Sequence, residues 1–335
     1  MGHGSSLATC WDVLPKVSRS FALPIRLLPR PAGDAVMLSY LVFRIADTIE
    51  DCCPDAERRA RLFGRFRRLI EGDASAAPEL ATIGPPPYDA LMRHASNVAE
   101  VFARLPAEVR SLLLGRLDEM SSGMQGWSAR EVRTTDDLHD YCYYVAGVVG
   151  KLLTRIFRAY GHVGNGTFEE LDRRAVEFGI ALQLINVIRD VRGDAREGRR
   201  YWPTALLERR GLTWDRFFDG SSRAAAREVL HELVRDALQH CDAAFEYVTL
   251  LPPHQFRIRA FCLLPLFMAM ATMRACLDDP ALFEDGPPVK IRRAETRRIL
   301  ALSVGLAPFD GALSIWYRGL RNPLTRAARN GMLSS

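Results

Sequence analysis

The sequence is short of lysine: only Lys16, Lys151 and Lys290 stand among its 45 basic residues, and arginine supplies the rest. It has no alternating apolar–polar run of useful length, which argues against a sheet-built fold, and no internal repeat, which argues against a solenoid. Its seven cysteines are an odd number without a CxxC pair, and Cys52 and Cys53 are adjacent. That pattern argues against a disulfide framework or a zinc site and points to a reducing compartment, hence the cytoplasm. Met1 to Ser20 has no continuous apolar core, so no signal peptide is expected. The longest apolar run, Ala260 to Met273, contains Pro265. It falls short of the roughly 18–20 residues that span a bilayer and is read as a buried core helix. There is no GxGxxG. The arginines are scattered and no reading motif accompanies them, so no nucleic acid partner is expected.

What is present is a globular balance over 335 residues, with 48% hydrophobic and 25% charged positions, a net charge of +5 and a pI of about 8.9. An arginine surplus suits phosphate and diphosphate, because the planar guanidinium grips their oxygens two at a time. An anionic membrane is served equally, and GC-rich coding accounts for most of these positions as well. Helical periodicity dominates. It predicts helices over Asp34–Cys52, Asp55–Glu71, Tyr88–Leu105, Ala107–Gly126, Thr135–Tyr160, Thr167–Val191, Ser221–Leu250, Phe256–Cys276, Ile291–Leu302 and Asp310–Ala328. Pro54-Asp55 and Thr134-Thr135-Asp136-Asp137 read as helix starts, Gly161 as a stop, and Gly84-Pro85-Pro86-Pro87 as the clearest break. The breaks are short, so one all-α domain over 1–335 is expected.

Two acidic clusters stand out. Asp47-Thr-Ile-Glu50-Asp51 ends an apolar helix, and steps of three and four put Tyr40, Arg44, Asp47 and Asp51 on one face with Glu50 beside them. Three carboxylates at a helix C-terminus oppose the helix dipole as well as each other, which weakens the reading as a solvated helix end and leaves it about even with a cation among them. The second cluster is Asp190-Val-Arg-Gly-Asp194, preceded by Gln183, Asn186 and Arg189. Amides and carboxylates along one stripe of an otherwise apolar helix differ from the Glu and Lys of an ordinary solvent face. Two such stripes facing each other hold hard divalent cations through oxygen, and Mg2+ suits this because it bridges carboxylates to substrate phosphates. Arg19, Arg44, Arg189 and Arg199 lie in or beside these motifs as candidates for diphosphate contacts. The small residues Val145-Ala-Gly147-Val-Val-Gly150 point to the close approach of a neighbouring helix or of a prenyl tail.

Five blocks together resemble the squalene and phytoene synthases, the head-to-head trans-isoprenyl diphosphate synthases. They are Ser18-Arg-Ser-Phe21, Tyr40 to Asp51, Tyr141 to Gly150, Gln183 to Asp194, and Gly198-Arg199-Arg-Tyr-Trp-Pro203, spread with family-like motifs over 18–293. The Tyr-Trp-Pro, the Ala260-Phe-Cys-Leu-Leu-Pro265 stretch and Val289-Lys290-Ile-Arg292-Arg lean towards the squalene synthase branch. The resemblance implies an isoprenoid-synthase helical bundle around a central cavity. It implies two farnesyl diphosphates as substrate, coupled to presqualene diphosphate and then reduced by NADPH to squalene. It makes Asp47, Glu50, Asp51, Asp190 and Asp194 the Mg2+ ligands, with Asp47 and Asp190 indispensable to the first ionisation. Ser18, Arg19, Phe21, Tyr40, Arg44, Gln183, Asn186, Arg189 and Arg199 become substrate contacts. Tyr141 takes the first half-reaction, through proton removal or cation stabilisation, and Phe261 the second. Lys290 and Arg292, with Arg19, Arg44 and Arg189, become phosphate contacts to NADPH or diphosphate.

The sequence departs from the family in two places. The second acidic motif often carries a glutamate before its last aspartate, where this chain has Gly193. Animal and fungal members carry a C-terminal membrane anchor, which is not expected here, although Asp310 to Leu320, with Trp316, Tyr317 and nearby arginines, is compatible with a helix lying on the inner membrane face. Ordinary core docking accounts for the same stretch, and a monomer is expected. An enzyme releasing presqualene diphosphate, dehydrosqualene or phytoene without reduction is the nearest rival. A non-catalytic, lipid-binding assembly factor of the same fold is the other, and the five retained carboxylates count against it.

Overall fold

The helix starts foreseen from the sequence are built as caps. In the computed structural model, which describes residues 3–18, 20–53, 55–127 and 130–330, Asp55 accepts a hydrogen bond from the Arg58 backbone N–H at 2.6 Å and opens the helix Ala56–Ile70. Thr134 and Asp137 form a reciprocal box: the Asp137 N–H donates to Thr134 Oγ1 at 3.1 Å and the Thr134 N–H to Asp137 Oδ2 at 2.9 Å. Both donors would otherwise be orphans of the first helical turn. Gly161 takes φ +73° as the chain leaves a helix, a left-handed stop that glycine adopts without steric cost. No strand occurs among the described residues.

Helices Ala32–Cys52, Ala107–Trp127, Asn165–Arg189, Arg223–Leu250, Phe256–Asp278, Arg293–Gly305 and Asp310–Asn330 lie within a few residues of expectation. Two long predicted helices are interrupted. Tyr88–Leu105 divides into Tyr88–Arg93 and Ala95–Ala103 at His94, whose ψ of 15° turns the chain between them. Thr135–Tyr160 becomes Thr135–Cys142, a π turn over Tyr143–Gly147, and Val148–Ala159. Such a wider turn occurs mostly as a single insertion within α-helix, frequently at functional sites. The sequence reading also passed over His3–Val17 as a helix. Its buried face, Cys10, Val13, Leu14 and Val17, steps by three and four, but Pro15 and Lys16 interrupt the apolar signal.

The chain divides into two compact units, Met1–Asp118 with Arg155–His162, and Glu119–Thr154 with Val163–Ser335. In the first, the helix Ala32–Cys52 is central: Met37, Leu38, Leu41, Ile45 and Ile49 are fully buried. His3–Val17 packs across it, with the Trp11 indole donating to Asp34 Oδ1 at 2.8 Å.

In the second unit, Asn165–Arg189 packs on Arg223–Leu250, on Phe256–Asp278 and on the π turn. The approach to the π turn and to the helix after it is made at backbone level. A Cβ on Gly150 would stand 2.0 Å from the Ala175 carbonyl oxygen, and one on Gly179 would stand 2.3 Å from that of Ala146. The small-residue stretch around Gly147 and Gly150 therefore serves a neighbouring helix. Pro253–Asp278 is long and apolar enough to cross a membrane by length and composition, and 72% of its most apolar window is buried inside the protein. It is thus a core helix, and it carries the fully buried Arg259, ion-paired with Asp310.

Candidate functional site

In the first unit the last turns of Ala32–Cys52 carry Tyr40, Arg44, Asp47, Glu50 and Asp51. The Arg44 guanidinium lies 3.5 Å from Asp47 Oδ2 and donates to the Tyr40 hydroxyl at 3.2 Å. It also stands 5.6 Å from the rings of both Tyr40 and Tyr88, within reach of their π faces. Its Nε is buried and has no hydrogen-bond partner. Buried donors are normally satisfied, so an unspent N–H beside the carboxylates is a feature an anionic ligand would fill. Burial pushes the Asp47 carboxyl up to about 6; Arg44 opposes this, while Asp51 and Glu50 add to it. Glu50 is raised as well, by burial and by Asp51, against Arg59. These carboxyls are therefore short of positive charge, the condition a divalent cation relieves.

Ser18 and Phe21 join this group. The buried Ser18 hydroxyl accepts from the Phe21 N–H at 3.0 Å, and the Phe21 and Tyr40 rings are 6.0 Å apart. The Tyr40 hydroxyl in turn donates to the Val17 carbonyl at 3.4 Å, so the loop after the first helix is tied to the acidic one. Arg19 lies outside the described residues.

In the second unit Asp190 ends the helix Asn165–Arg189, and a short helix Val191–Arg196 carries Asp194. The Asp194 N–H donates to the Asp190 carbonyl at 2.8 Å, and the Arg199 N–H to the Asp194 carbonyl at 2.8 Å. Both Asp190 oxygens are held by the Arg189 fork, Oδ1 from Nε at 2.7 Å and Oδ2 from Nη2. Arg199 Nε lies 3.6 Å from Asp194 Oδ1. Burial raises the Asp194 carboxyl to about 6, opposed by Arg199 and assisted by Asp190 and Glu197. Asn186 donates to Gln183 Oε1 at 3.3 Å, one turn earlier on the same stripe. A Cβ on Gly193 meets nothing within 4 Å, so packing does not forbid a side chain there.

A cavity of about 340 Å³ opens beside this motif, lined by Arg189, Asp190, Asp194 and Arg199 on one side and by Gly286, Pro287, Pro288 and Val289 on the other. Lys290 and Arg292 follow Val289 as exposed residues just outside that lining. Arg192 and Arg196 of the same wall are turned towards Asp285, Arg192 Nε at 2.8 Å from its Oδ1.

Tyr141, on Thr135–Cys142, stacks on Tyr201 at 4.4 Å and 21° and meets Trp127 edge-on at 6.3 Å. Burial and then Tyr201 hold its hydroxyl proton far above the usual phenol range. Such a group acts as a neutral phenol in an aromatic box, suited to facing a carbocation rather than to serving as a phenolate base. Tyr201 was not among the expected site residues. Its Tyr-Trp-Pro signal was in the sequence, but pairing with Tyr141 depends on tertiary structure. Phe261 is buried on Phe256–Asp278.

Each carboxylate set is thus an all-oxygen donor group with its own arginine, a fit for Mg2+ and diphosphate rather than for a thiophilic metal. The arginine-lined cavity next to Lys290 and Arg292 fits a polyanionic cofactor, with guanidinium forks in place of a glycine-rich turn.

A family model described as squalene/phytoene synthase matches residues 14–295. The squalene synthase of Nicotiana benthamiana is 32% identical over 313 residues, covering 90% of this chain and 72% of that protein. Squalene synthase LSS of Botryococcus braunii is 30% identical over 300 residues, 88% of this chain, which spans 63% of that protein's length. Among solved structures, ligand-bound TcSQS superimposes with a TM-score of 0.79 at 28% identity, covering 98% of this chain and 99% of that one. A dehydrosqualene synthase at 21% identity and TM-score 0.61 shares the fold, over 90% of this chain and 96% of its own.

Proposed function

The chain belongs to the squalene/phytoene synthase family, and we propose that it is a squalene synthase, coupling two farnesyl diphosphates through presqualene diphosphate and reducing the intermediate to squalene with NADPH. Asp47, Glu50 and Asp51, and Asp190 and Asp194, are the residues that would hold Mg2+, which would supply positive charge to a diphosphate leaving group. Arg44, Arg189 and Arg199 take the diphosphate oxygens that the cations leave uncovered, since each already lies beside one of these carboxylates. Tyr141, paired with Tyr201, presents a neutral aromatic face to the allylic cation of the first half-reaction. Phe261 does the same in the second.

NADPH supplies the hydride of the second half-reaction when bound, and Lys290 and Arg292 are the residues to grip its phosphates. The observation that most supports reduction is the cavity that runs from Asp190 and Asp194 to Val289. It makes one continuous lining of the second acidic motif and the stretch that leads into Lys290 and Arg292. The water-insoluble product makes peripheral contact with a membrane from a reducing compartment part of the proposal.

Incubation of the purified chain with farnesyl diphosphate and Mg2+, with and without NADPH, tests this by product identification. Squalene formed only with NADPH is the expected result. Presqualene diphosphate under both conditions would remove the reductive half, and no turnover by a folded protein would remove catalysis altogether.

A further inference from the structure

Outside the site described above, one cluster in the second unit gathers donor atoms of a different kind. His139 comes from Thr135–Cys142, Glu177 from Asn165–Arg189, and Asp236 and His240 from Arg223–Leu250, one turn apart. His139 Nε2 is 2.7 Å from Asp236 Oδ2 and 3.2 Å from His240 Nε2, and His240 Nε2 is 4.0 Å from Asp236 Oδ1. The ring planes meet at 80° with centroids 4.6 Å apart, so both Nε2 atoms are turned towards one point without stacking. The ligand atoms of His139, Asp236 and His240 all lie within 4.8 Å of one another.

His240 is oriented from behind. Its Nδ1 lies 2.6 Å from Glu177 Oε2 and donates to it, which leaves the Nε2 lone pair facing His139 and Asp236. That hydrogen bond holds the Glu177 carboxyl below its usual range, hence charged. A carboxylate behind a histidine is the outer partner by which metal-ligating imidazoles are fixed in tautomer and direction.

The donor types decide between ions. Two imidazole nitrogens bound at 2.0–2.1 Å in tetrahedral geometry are about 3.3 Å apart; the observed separation is 3.2 Å, while His139 Nε2 and Asp236 Oδ2, now 2.7 Å apart in a hydrogen bond, have to open slightly around an ion. Two histidines and a carboxylate suit zinc and disfavour magnesium, which takes oxygen ligands in octahedral geometry.

We propose that His139, Asp236 and His240 form a zinc site, supported by Glu177 behind His240 and completed by water. It is a histidine–carboxylate site, distinct from the cysteine type that the sequence argues against. The three side chains are partly exposed, 26% for His139, 20% for Asp236 and 12% for His240. Bound zinc fastens the helix that carries Tyr141 to the two longest helices of the unit. The site stands on its own donors and does not rest on the catalytic reading.

The test uses the tag-free full chain, stripped with a chelator, desalted, and titrated with Co2+ in a buffer containing excess Mg2+ to occupy carboxylate-only sites. One Co2+ per chain is expected, with the intense visible absorption of four-coordinate cobalt and no thiolate charge-transfer band, displaced by one equivalent of Zn2+. His240→Ala and Asp236→Asn should lose the band while far-UV circular dichroism is retained. Glu177→Gln should keep the band and weaken affinity about 10–100-fold. This last variant leaves every ligand in place and so reports on the site even where His240→Ala misfolds. A wild-type chain that shows no four-coordinate band, or a band that is the same in His240→Ala or whose affinity is unmoved in Glu177→Gln, would overturn the proposal.

Discussion

The two acidic stretches put similar carboxylates in different company. The first has Asp47, Glu50 and Asp51, with Arg44 3.5 Å from Asp47 and Arg59 acting on Glu50. The second has only Asp190 and Asp194, yet Arg189 grips both oxygens of Asp190 and Arg199 stands 3.6 Å from Asp194. Arg189 thus covers Asp190 more fully than any described arginine covers Asp47. Asp194, raised by burial as Asp47 is, remains short of positive charge. In the proposed chemistry the first stretch would lean more on added cations, and the second would share that task between cations and Arg189.

Removing a charge from either stretch has the largest expected effect. Asp47→Asn and Asp190→Asn should each lower kcat by about 10²–10³-fold, the usual scale for losing one preorganised electrostatic group in a transition state. Diphosphate release at saturating substrate measures this. The comparison is sharpened by the Mg2+ dependence of the residual activity. Asp47→Asn should move the half-saturating Mg2+ concentration upward more than Asp190→Asn, because Arg189 already covers Asp190. Equal shifts would break the distinction between the two stretches.

A second difference lies in how two helical glycines, one in each unit, meet their surroundings. The helix that ends at Asp190 meets its neighbour backbone to backbone, with a Gly150 Cβ placed 2.0 Å from the Ala175 oxygen. Gly150→Ala should therefore destabilise by about 1–3 kcal/mol through overpacking. In the first unit, Gly64 lies inside Ala56–Ile70 with nothing within 4 Å of its Cβ direction. Gly64→Ala should stabilise by about 0.5–1 kcal/mol through helix propensity. Urea midpoints of the two variants, with opposite signs, are the check.

These packing facts show where sequence reading stops. The all-helical class, most helix bounds and the caps at Asp55 and Thr134 are local properties, written in periodicity and in side chains that satisfy nearby N–H groups. The same holds for the stripe from Tyr40 to Asp51. The small residues at Gly147 and Gly150 were visible as a stretch, but helix and prenyl tail remained equal partners until Ala175 and Gly179 were placed. The π turn at Tyr143–Gly147 has no periodic signature, because it is one residue wider only where the neighbouring helix presses in. The Tyr141–Tyr201 stack and the His139–Asp236–His240 cluster depend on contacts between distant segments, which one sequence does not display. Gly193 was read as a loss, and the open space around it shows that packing did not impose it.

The raised carboxyls allow a pH test of both stretches. Asp47 and Asp194 are both pushed up to about 6, chiefly by burial. A carboxyl whose folded value lies above its unfolded one of about 3.8 favours the folded state when protonated. That contribution is complete below about pH 3.8 and is lost as pH rises through about 6. Cation binding runs the other way, since the ligand must be ionised. The Tm increment produced by Mg2+ should therefore be larger at about pH 7.5 than at about pH 5, with a transition near 6. The transition should flatten in both Asp47→Asn and Asp194→Asn, because both carboxyls are raised alike. An Mg2+ increment independent of pH would count against carboxylate ligation at both.

The smallest expected effect comes from making the second stretch more like the first. Gly193→Glu adds a carboxylate between Asp190 and Asp194, and no atom stands within 4 Å to oppose its Cβ. Glutamate in place of glycine gains up to about 1 kcal/mol of helix propensity. This is partly offset by repulsion from Asp194, which lies in the same short helix. Stability should thus change by less than about 1 kcal/mol. The half-saturating Mg2+ concentration should fall several-fold, and kcat should stay within a factor of about 3, because the arginines that already neutralise Asp190 and Asp194 are untouched. If the variant instead binds Mg2+ no more tightly than the parent, the arginines satisfy the second stretch completely. Its contribution to the reaction would then be guanidinium contacts to diphosphate, with metal held by the Asp47 stretch alone.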